Sequence, residues 1–315
     1  MKKAVIYIFT GTGNTRCAAE LIAEALRGHD IETTIWEARV PLDTAPDPNA
    51  FDMALFGYPV YAYNTPRFFL RFVKTLPRVG NKPAYIFKTS GEPFGMNNVS
   101  SRALVGLLRK KGFVPMREHH LLMPYNIMFR YSDALAKQMY LHTKDMAEVV
   151  AGGIESGSAA RFHYHPLAVL LSYLFRLQWF GAFLNGPLVH VNKSSCTGCG
   201  LCVKICPAQN VSMRGGYPRF GAKCTMCMGC AFLCPQDAVR PGLLSLWRVN
   251  GPYHFKKLAG DDSVPSTFID ENTRGYFRLF RPYYERTNKE IAALRAKEKI
   301  KASSEVMNER NPRFN

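Results

Sequence analysis

The sequence predicts an α/β protein: a doubly wound parallel sheet joined to a small α+β metal-binding module. Three observations carry this. A strand–loop–helix rhythm runs through roughly the first 150 residues, eight of the nine cysteines fall between Cys196 and Cys234, and a proline-bracketed apolar stretch separates the two regions. At 315 residues the chain exceeds the usual size of one domain, and 47% hydrophobic content supplies a core.

Residues 3–9 (KAVIYIF) are an apolar, β-branched run, and 10–15 (TGTGNT) form a loop. A helical period follows from Asn14 to about Arg27, with Ala18, Leu21, Ile22 and Ala25 on one face. Residues 31–36 (IETTIW) alternate as a strand. Residues 51–57 (FDMALFG) and 83–89 (PAYIFKT) read as buried strands, each followed by a loop and a helical stretch. A strand at 113–122 and a helix at about 133–151 complete the first domain, which ends at the breaker-rich boundary 152–158. The domains expected are 1–158, an apolar connecting helix at 159–189, the cysteine module at 190–242 and a C-terminal extension at 243–315.

Residues 166–187 (PLAVLLSYLFRLQWFGAFLNGP) are long and apolar enough to span a bilayer. Arg176 and Gln178 stand near the centre, where an arginine costs about 2.5–3.5 kcal/mol on insertion scales. A helix buried between domains is the expectation, with an interfacial helix in peripheral membrane contact and a true span as alternatives. Residues 286–301 (RTNKEIAALRAKEKIK) read as a basic, solvated surface helix, and the last dozen residues as frayed. The N-terminal MKKAVIYIFTGTG has too short an apolar run for a signal peptide and passes into a glycine-rich loop, so a cytoplasmic protein is expected.

The formal charge of +17 predicts attraction to an acidic partner. No nucleic-acid recognition motif accompanies it. No Ser/His/Asp or paired-carboxylate pattern is discernible, which argues against hydrolysis. Cys17, His163 and His165 read as structural or surface residues. His119 and His120, adjacent on a strand, point to opposite faces.

The cysteines read Cys196-x2-Cys199-x2-Cys202-x3-Cys206-Pro207 and Cys224-x2-Cys227-x2-Cys230-x3-Cys234-Pro235, a repeat of period 28. Each run is the bacterial [4Fe–4S] pattern, whose fourth cysteine serves the other cluster. One cluster would then take Cys196, Cys199, Cys202 and Cys234, and the other Cys224, Cys227, Cys230 and Cys206. Zinc sites show paired C-x2-C with longer gaps. Met226 and Met228 would shield sulfur from water. The module resembles the bacterial two-cluster ferredoxin family over about fifty residues. Members of that family are typically acidic, whereas here Lys193, Lys204, Arg214, Arg219, Lys223 and Arg240 face only Asp237. A basic rim would draw in an acidic electron donor or acceptor such as a ferredoxin.

The loop Thr10-Gly11-Thr12-Gly13-Asn14-Thr15 offers backbone N–H groups, hydroxyls and a helix N-terminus, which together describe a phosphate cradle. A nucleoside-triphosphate loop would need a following lysine. A dinucleotide loop needs a small residue where Arg16 stands, although Glu37 lies at a tolerable distance for a ribose contact. The segment resembles the FMN-phosphate loop of flavodoxins, over residues 1–150. That resemblance implies FMN, with Pro59, Val60 and Tyr61 (or Tyr58 or Tyr63 in place of Tyr61) along the ring and Thr89, Ser90 and Gly91 at its polar edge. Together the modules resemble flavodoxin–ferredoxin fusion proteins, common in anaerobic bacteria and archaea. The implied function is an oxidoreductase passing low-potential electrons between two [4Fe–4S] clusters and FMN. The alternative is an FMN-dependent reductase of a small-molecule acceptor, with the clusters as its internal supply.

Overall fold

The computed structural model describes residues 1–310, with side chains through Ile300. The strands are β1 (Lys2–Ile8), β2 (Ile31–Glu37), β3 (Met53–Pro59), β4 (Lys82–Ser90) and β5 (Phe113–Leu122). They pair entirely in parallel in the order β2-β1-β3-β4-β5. This is the flavodoxin-like doubly wound order, in which ligands sit outside the carboxyl ends of the strands near the switch point.

The helices are α1 (Asn14–Gly28), α2 (Arg67–Thr75), α3 (Arg102–Lys110) and α4 (Asp133–Glu155). Period-2 alternation in β1 divides the core between the two faces of the sheet. Ala4, Ile6 and Ile8 pack with α1 and α4, while Val5, Tyr7 and Phe9 pack with α2 and α3. Burial of their central residues on both faces explains why β1, β3 and β4 read as apolar runs.

The cysteine module has two short antiparallel pairs, Val211–Arg214 with Tyr217–Phe220 and His190–Val191 with Val239–Arg240. It docks on the α2/α3 side of the sheet. Ala208 joins that core, and Cys206 and Cys227 pack against it. Val40 N–H donates to Pro207 O at 2.9 Å, and Gln209 Nε2 donates to Val40 O at 3.0 Å.

Three expectations are corrected. Residues 166–187 are not a buried connecting helix. They form two helices, α5 (Pro166–Phe175) and α6 (Gln178–Leu188), joined at Arg176–Leu177, and most of their large apolar side chains are exposed. Only small or polar residues are buried: Ala168, Ser172, Asn185 and Gly186. The C-terminal helix (Arg281–Arg310) is not wholly solvated either: Tyr283, Tyr284, Thr287 and Ile291 are buried. Arg295 Nη2 reaches Asp145 of α4 at 2.9 Å. Its regular backbone runs to Arg310, so the expectation of a frayed last dozen holds for none of 304–310, and 311–315 lie outside the described residues. The stretch before this helix also packs on the α/β domain: Gln138 Oε1 accepts from Phe268 N–H and Ile269 N–H at 2.9 and 2.7 Å.

Candidate functional site

Four loops leave the carboxyl ends of β1, β3, β4 and β5, and hydrogen bonds draw them together. Thr15 Oγ1 meets Thr89 Oγ1 at 2.8 Å, and both hydroxyls are buried. Val60 N–H donates to Thr89 O at 2.9 Å, and Pro59 pairs with Thr89 in register. The phosphate-type loop is therefore locked to the two loops expected to border a ring.

Gly13 carries a φ of +103°, a conformation that L side chains rarely adopt, and a side chain there would enter open space. The helix it opens, α1, is 15 residues long and has no side-chain cap, so its first N–H groups remain available to an anion. Thr10 Oγ1 accepts from Gly13 N–H at 3.1 Å, which fixes the turn.

The loop after β5 completes the site, and the sequence pattern gave no expectation for it. Asn126 Nδ2 donates to Thr12 Oγ1, and Asn14 Nδ2 donates to Pro124 O at 2.7 Å. The Tyr125 ring packs on Gly91, and its hydroxyl donates to Glu92 Oε2 at 2.7 Å. Tyr276, from the C-terminal extension, donates to the other oxygen of Glu92, and Tyr131 donates to Gly91 O at 2.9 Å. The aromatic run from Tyr125 to Tyr131, placed directly after a strand, was the signal available.

Ser90 turns inward, with Oγ 2.7 Å from Glu92 O and 2.6 Å from His120 Nε2. Burial, then the charges of Lys88 and Arg286, holds His120 well below the ordinary imidazole range. Lys88 is fully buried against Glu118 at 3.1 Å, so this cation belongs to the core and not to the cradle. Tyr58 is also fully buried, with its hydroxyl on Ser100 at 3.0 Å, and drops out as a ring-covering residue. Tyr63 packs edge-on against Phe175 at 5.3 Å. Tyr61 meets Phe9 edge-on at 6.2 Å; burial, then the nearby Cys227 and Cys224, pushes its phenol up. Glu37 is held by both Arg16 and Arg39, so its carboxylate is already engaged and the ribose contact of a dinucleotide loses its acceptor.

The cysteines gather across the two runs. Cys196, Cys199, Cys202 and Cys234 line one cavity, into which Cys230 also reaches. Cys206 lies close enough to Cys224, Cys227 and Cys230 for its charge to bear on all three. Burial pushes the Cys227 thiol up to about 11 and raises Cys202, Cys224 and Cys230 as well. Among the described residues, no group of three Cys, His, Asp or Glu side chains is placed to hold a single metal ion. A purely thiolate donor set that lines a cavity without closing on one point fits an iron–sulfur cluster better than zinc. Cys17 is half-buried, and burial pushes its thiol up to about 12, which suits a packing residue. His163 and His165 are exposed.

The two regions touch. A Cβ on Gly11 would lie 2.1 Å from Cys227 O, and a Cβ on Gly229 would lie 2.4 Å from Gly11 O. The phosphate-type loop is seated on the turn that carries the cysteine ligands.

Comparison with known proteins follows the same division. The 4Fe-4S binding domain family matches residues 188–211. Solved structures similar to the first half include a flavodoxin from the domain Archaea, at 13% identity, covering 49% of this chain and 99% of that one with a TM-score of 0.34. Flavodoxin 1 from Bacillus cereus is 17% identical, covers 47% and 97% and has a TM-score of 0.34. Rubredoxin oxygen:oxidoreductase from Desulfovibrio gigas is 17% identical, covers 51% and 38% and has a TM-score of 0.33. No curated protein matches the chain. By its strand order and its matched iron–sulfur segment, the chain is a fusion of a flavodoxin-like α/β domain with a ferredoxin-type 4Fe–4S domain.

Proposed function

We propose that this electron-transfer oxidoreductase binds two [4Fe–4S] clusters and one FMN and converts between one- and two-electron carriers. The clusters would supply single-electron exchange, and the flavin would store one or two electrons. The observation that carries the reading is the backbone contact between Gly11 and Cys227, which brings the two candidate cofactor loops together with no intervening layer of protein.

In this reading Thr10, Gly11, Thr12, Gly13, Asn14 and Thr15 hold the FMN phosphate. Pro59, Val60 and Tyr61 border the ring on one side, and Thr89, Ser90 and Gly91 border its polar edge. Asn126 holds Thr12, and the Thr15–Thr89 pair keeps the cradle at a constant distance from the ring-edge loop. Tyr61, beside Phe9 and the second cysteine set, excludes water between the sites. Cys196, Cys199, Cys202 and Cys234 hold one cluster; Cys206, Cys224, Cys227 and Cys230 hold the other.

The partner we propose is an acidic protein such as a ferredoxin. Lys193, Lys204, Arg214, Arg219 and Lys223 are all exposed around the module, and Asp237 is already paired with Arg248 and Arg240. One observation favours the second reading, direct reduction of a small acceptor. Tyr276 of the extension closes on Glu92 beside the ring-edge loop, a wall that a simple carrier does not need. Anaerobic purification with iron, sulfide and flavin counted per chain tests the assignment. About eight irons and one FMN are expected, and four irons or fewer after reconstitution, or stoichiometric zinc, would refute it.

A further inference from the structure

Helices α5 and α6 are amphipathic in the inverted sense. Their polar groups face the protein. Arg176 Nε donates to Asn64 Oδ1 at 3.2 Å, Asn64 Nδ2 donates to Ser172 O at 2.9 Å, and Gln178 Nε2 donates to Tyr61 O at 2.7 Å. Farther along, Asn185 Oδ1 accepts from Leu243 N–H at 2.7 Å. Their apolar groups face outward. Leu170, Leu174, Leu177, Phe180, Phe183 and Leu184 are between 59% and 67% exposed, and their three- and four-residue spacing merges them into one stripe. An apolar surface of this extent differs from singly scattered exposed residues and is of the kind that marks interaction sites.

The charge beside the stripe says what docks there. A groove between α2 and α3 abuts α6 through Trp179 and Phe180. It is lined by Arg67, Arg71, Lys74, Arg102, Arg109 and Lys110, and no Asp or Glu contributes to it. All six cations are exposed, and among the described residues none forms an ion pair. Arg176 itself is turned to the protein and lies over the rings of Tyr173 and Trp179, 4.1 and 5.2 Å from their centroids, so the charge offered to a partner is that of the groove.

We propose that α5 and α6 seat the protein on the surface of a bilayer containing anionic lipids. The Leu/Phe stripe enters the acyl boundary, and the α2/α3 groove takes the lipid phosphates. An apolar stripe with a flanking polybasic surface is the combination that holds a protein on such a membrane without spanning it. The hydrogen bonds to Asn64, Tyr61 and Leu243 tie the pair lengthwise to the protein, which argues for a helix lying on the membrane and against one crossing it. An acidic protein would answer the groove but leave the stripe in water.

The test is flotation of the full, cofactor-loaded chain with phosphatidylcholine vesicles, and with vesicles of equal parts phosphatidylcholine and phosphatidylglycerol. The chain should float with the mixed vesicles and be released by salt. The pairs Leu170→Glu with Phe180→Glu, and Arg71→Glu with Arg109→Glu, should each lower recovery about tenfold. Far-UV circular dichroism and iron content should match the wild type, which separates lost docking from lost folding. Equal recovery from both vesicle types, no flotation, or variants that float like the wild type would overturn the proposal. So would a dimer, seen by light scattering without vesicles, that Leu170→Glu with Phe180→Glu disperses, or a chain that only detergent extracts from host membranes.

Discussion

Gly11 and Cys227 are in backbone contact: a methyl group on Gly11 would fall 2.1 Å from the Cys227 carbonyl oxygen. The glycine is required here by close approach, since the obstructing atom is main chain and has no rotamer to escape into. Gly11→Ala should push the two loops apart at a cost of about 1–3 kcal/mol, the range for overpacking. Flavin and iron content should fall together in the purified variant. A variant that lost flavin while keeping all its iron would show that the loops are independent.

The cysteine sets can be separated by iron counting. Cys234→Ser should disable the site that holds Cys196, Cys199 and Cys202, and Cys206→Ser the site that holds Cys224, Cys227 and Cys230. In each variant iron should fall from about eight to about four per chain. If the four cysteines of each run served one cluster, Cys206→Ser would instead spare the cluster on Cys224, Cys227 and Cys230. Paramagnetic resonance of the reduced variants reads which cluster survives.

The buried Thr15–Thr89 hydroxyl pair should behave as a unit. Replacing either threonine by valine leaves the other hydroxyl buried with a partner lost, at about 1–3 kcal/mol. The double replacement should cost less than the two single costs combined, measured by urea unfolding. Strict additivity would mean that the two hydroxyls do not interact.

His142 makes stability pH-dependent in a defined direction. It is buried, 2.9 Å from Thr287 Oγ1, and desolvation lowers it from 6.5 to about 4. The unfolded chain binds a proton below about 6.5, and the folded chain does not until about 4. Stability should therefore fall as pH drops through that window, by up to about 1.4 kcal/mol per pH unit for this proton, and the loss should level off below it. His142→Asn should flatten that slope relative to the wild type. Identical unfolding profiles between pH 7 and pH 4 would contradict the assignment.

The exposed basic residues around the cysteine module should set the encounter rate with an acidic partner. Lys204→Glu with Arg219→Glu should slow reduction by an acidic ferredoxin about tenfold at low ionic strength, with the difference shrinking as salt rises. Stopped-flow reduction at two salt concentrations checks this.

Much of the molecule is legible in its sequence because it is local. The spacing of Cys196 to Cys206 and of Cys224 to Cys234 is a property of single turns of chain, and ligand chemistry restricts what such turns can hold. The apolar runs of β1, β3 and β4 and the turn at Gly13 are likewise written in neighbouring residues. Other features required the tertiary structure. Asn126 reaches Thr12 only because the loop after β5 returns toward β1, from which β3 and β4 separate it in the sheet, and Tyr276 reaches Glu92 only because the C-terminal extension folds back. The 166–188 segment shows the limit most plainly. Its composition is that of a core helix, and composition states how much apolar surface exists but not which way it faces. Orientation was decided by Asn64, Tyr61 and Leu243, which claim the segment's few polar groups and turn its leucines and phenylalanines outward.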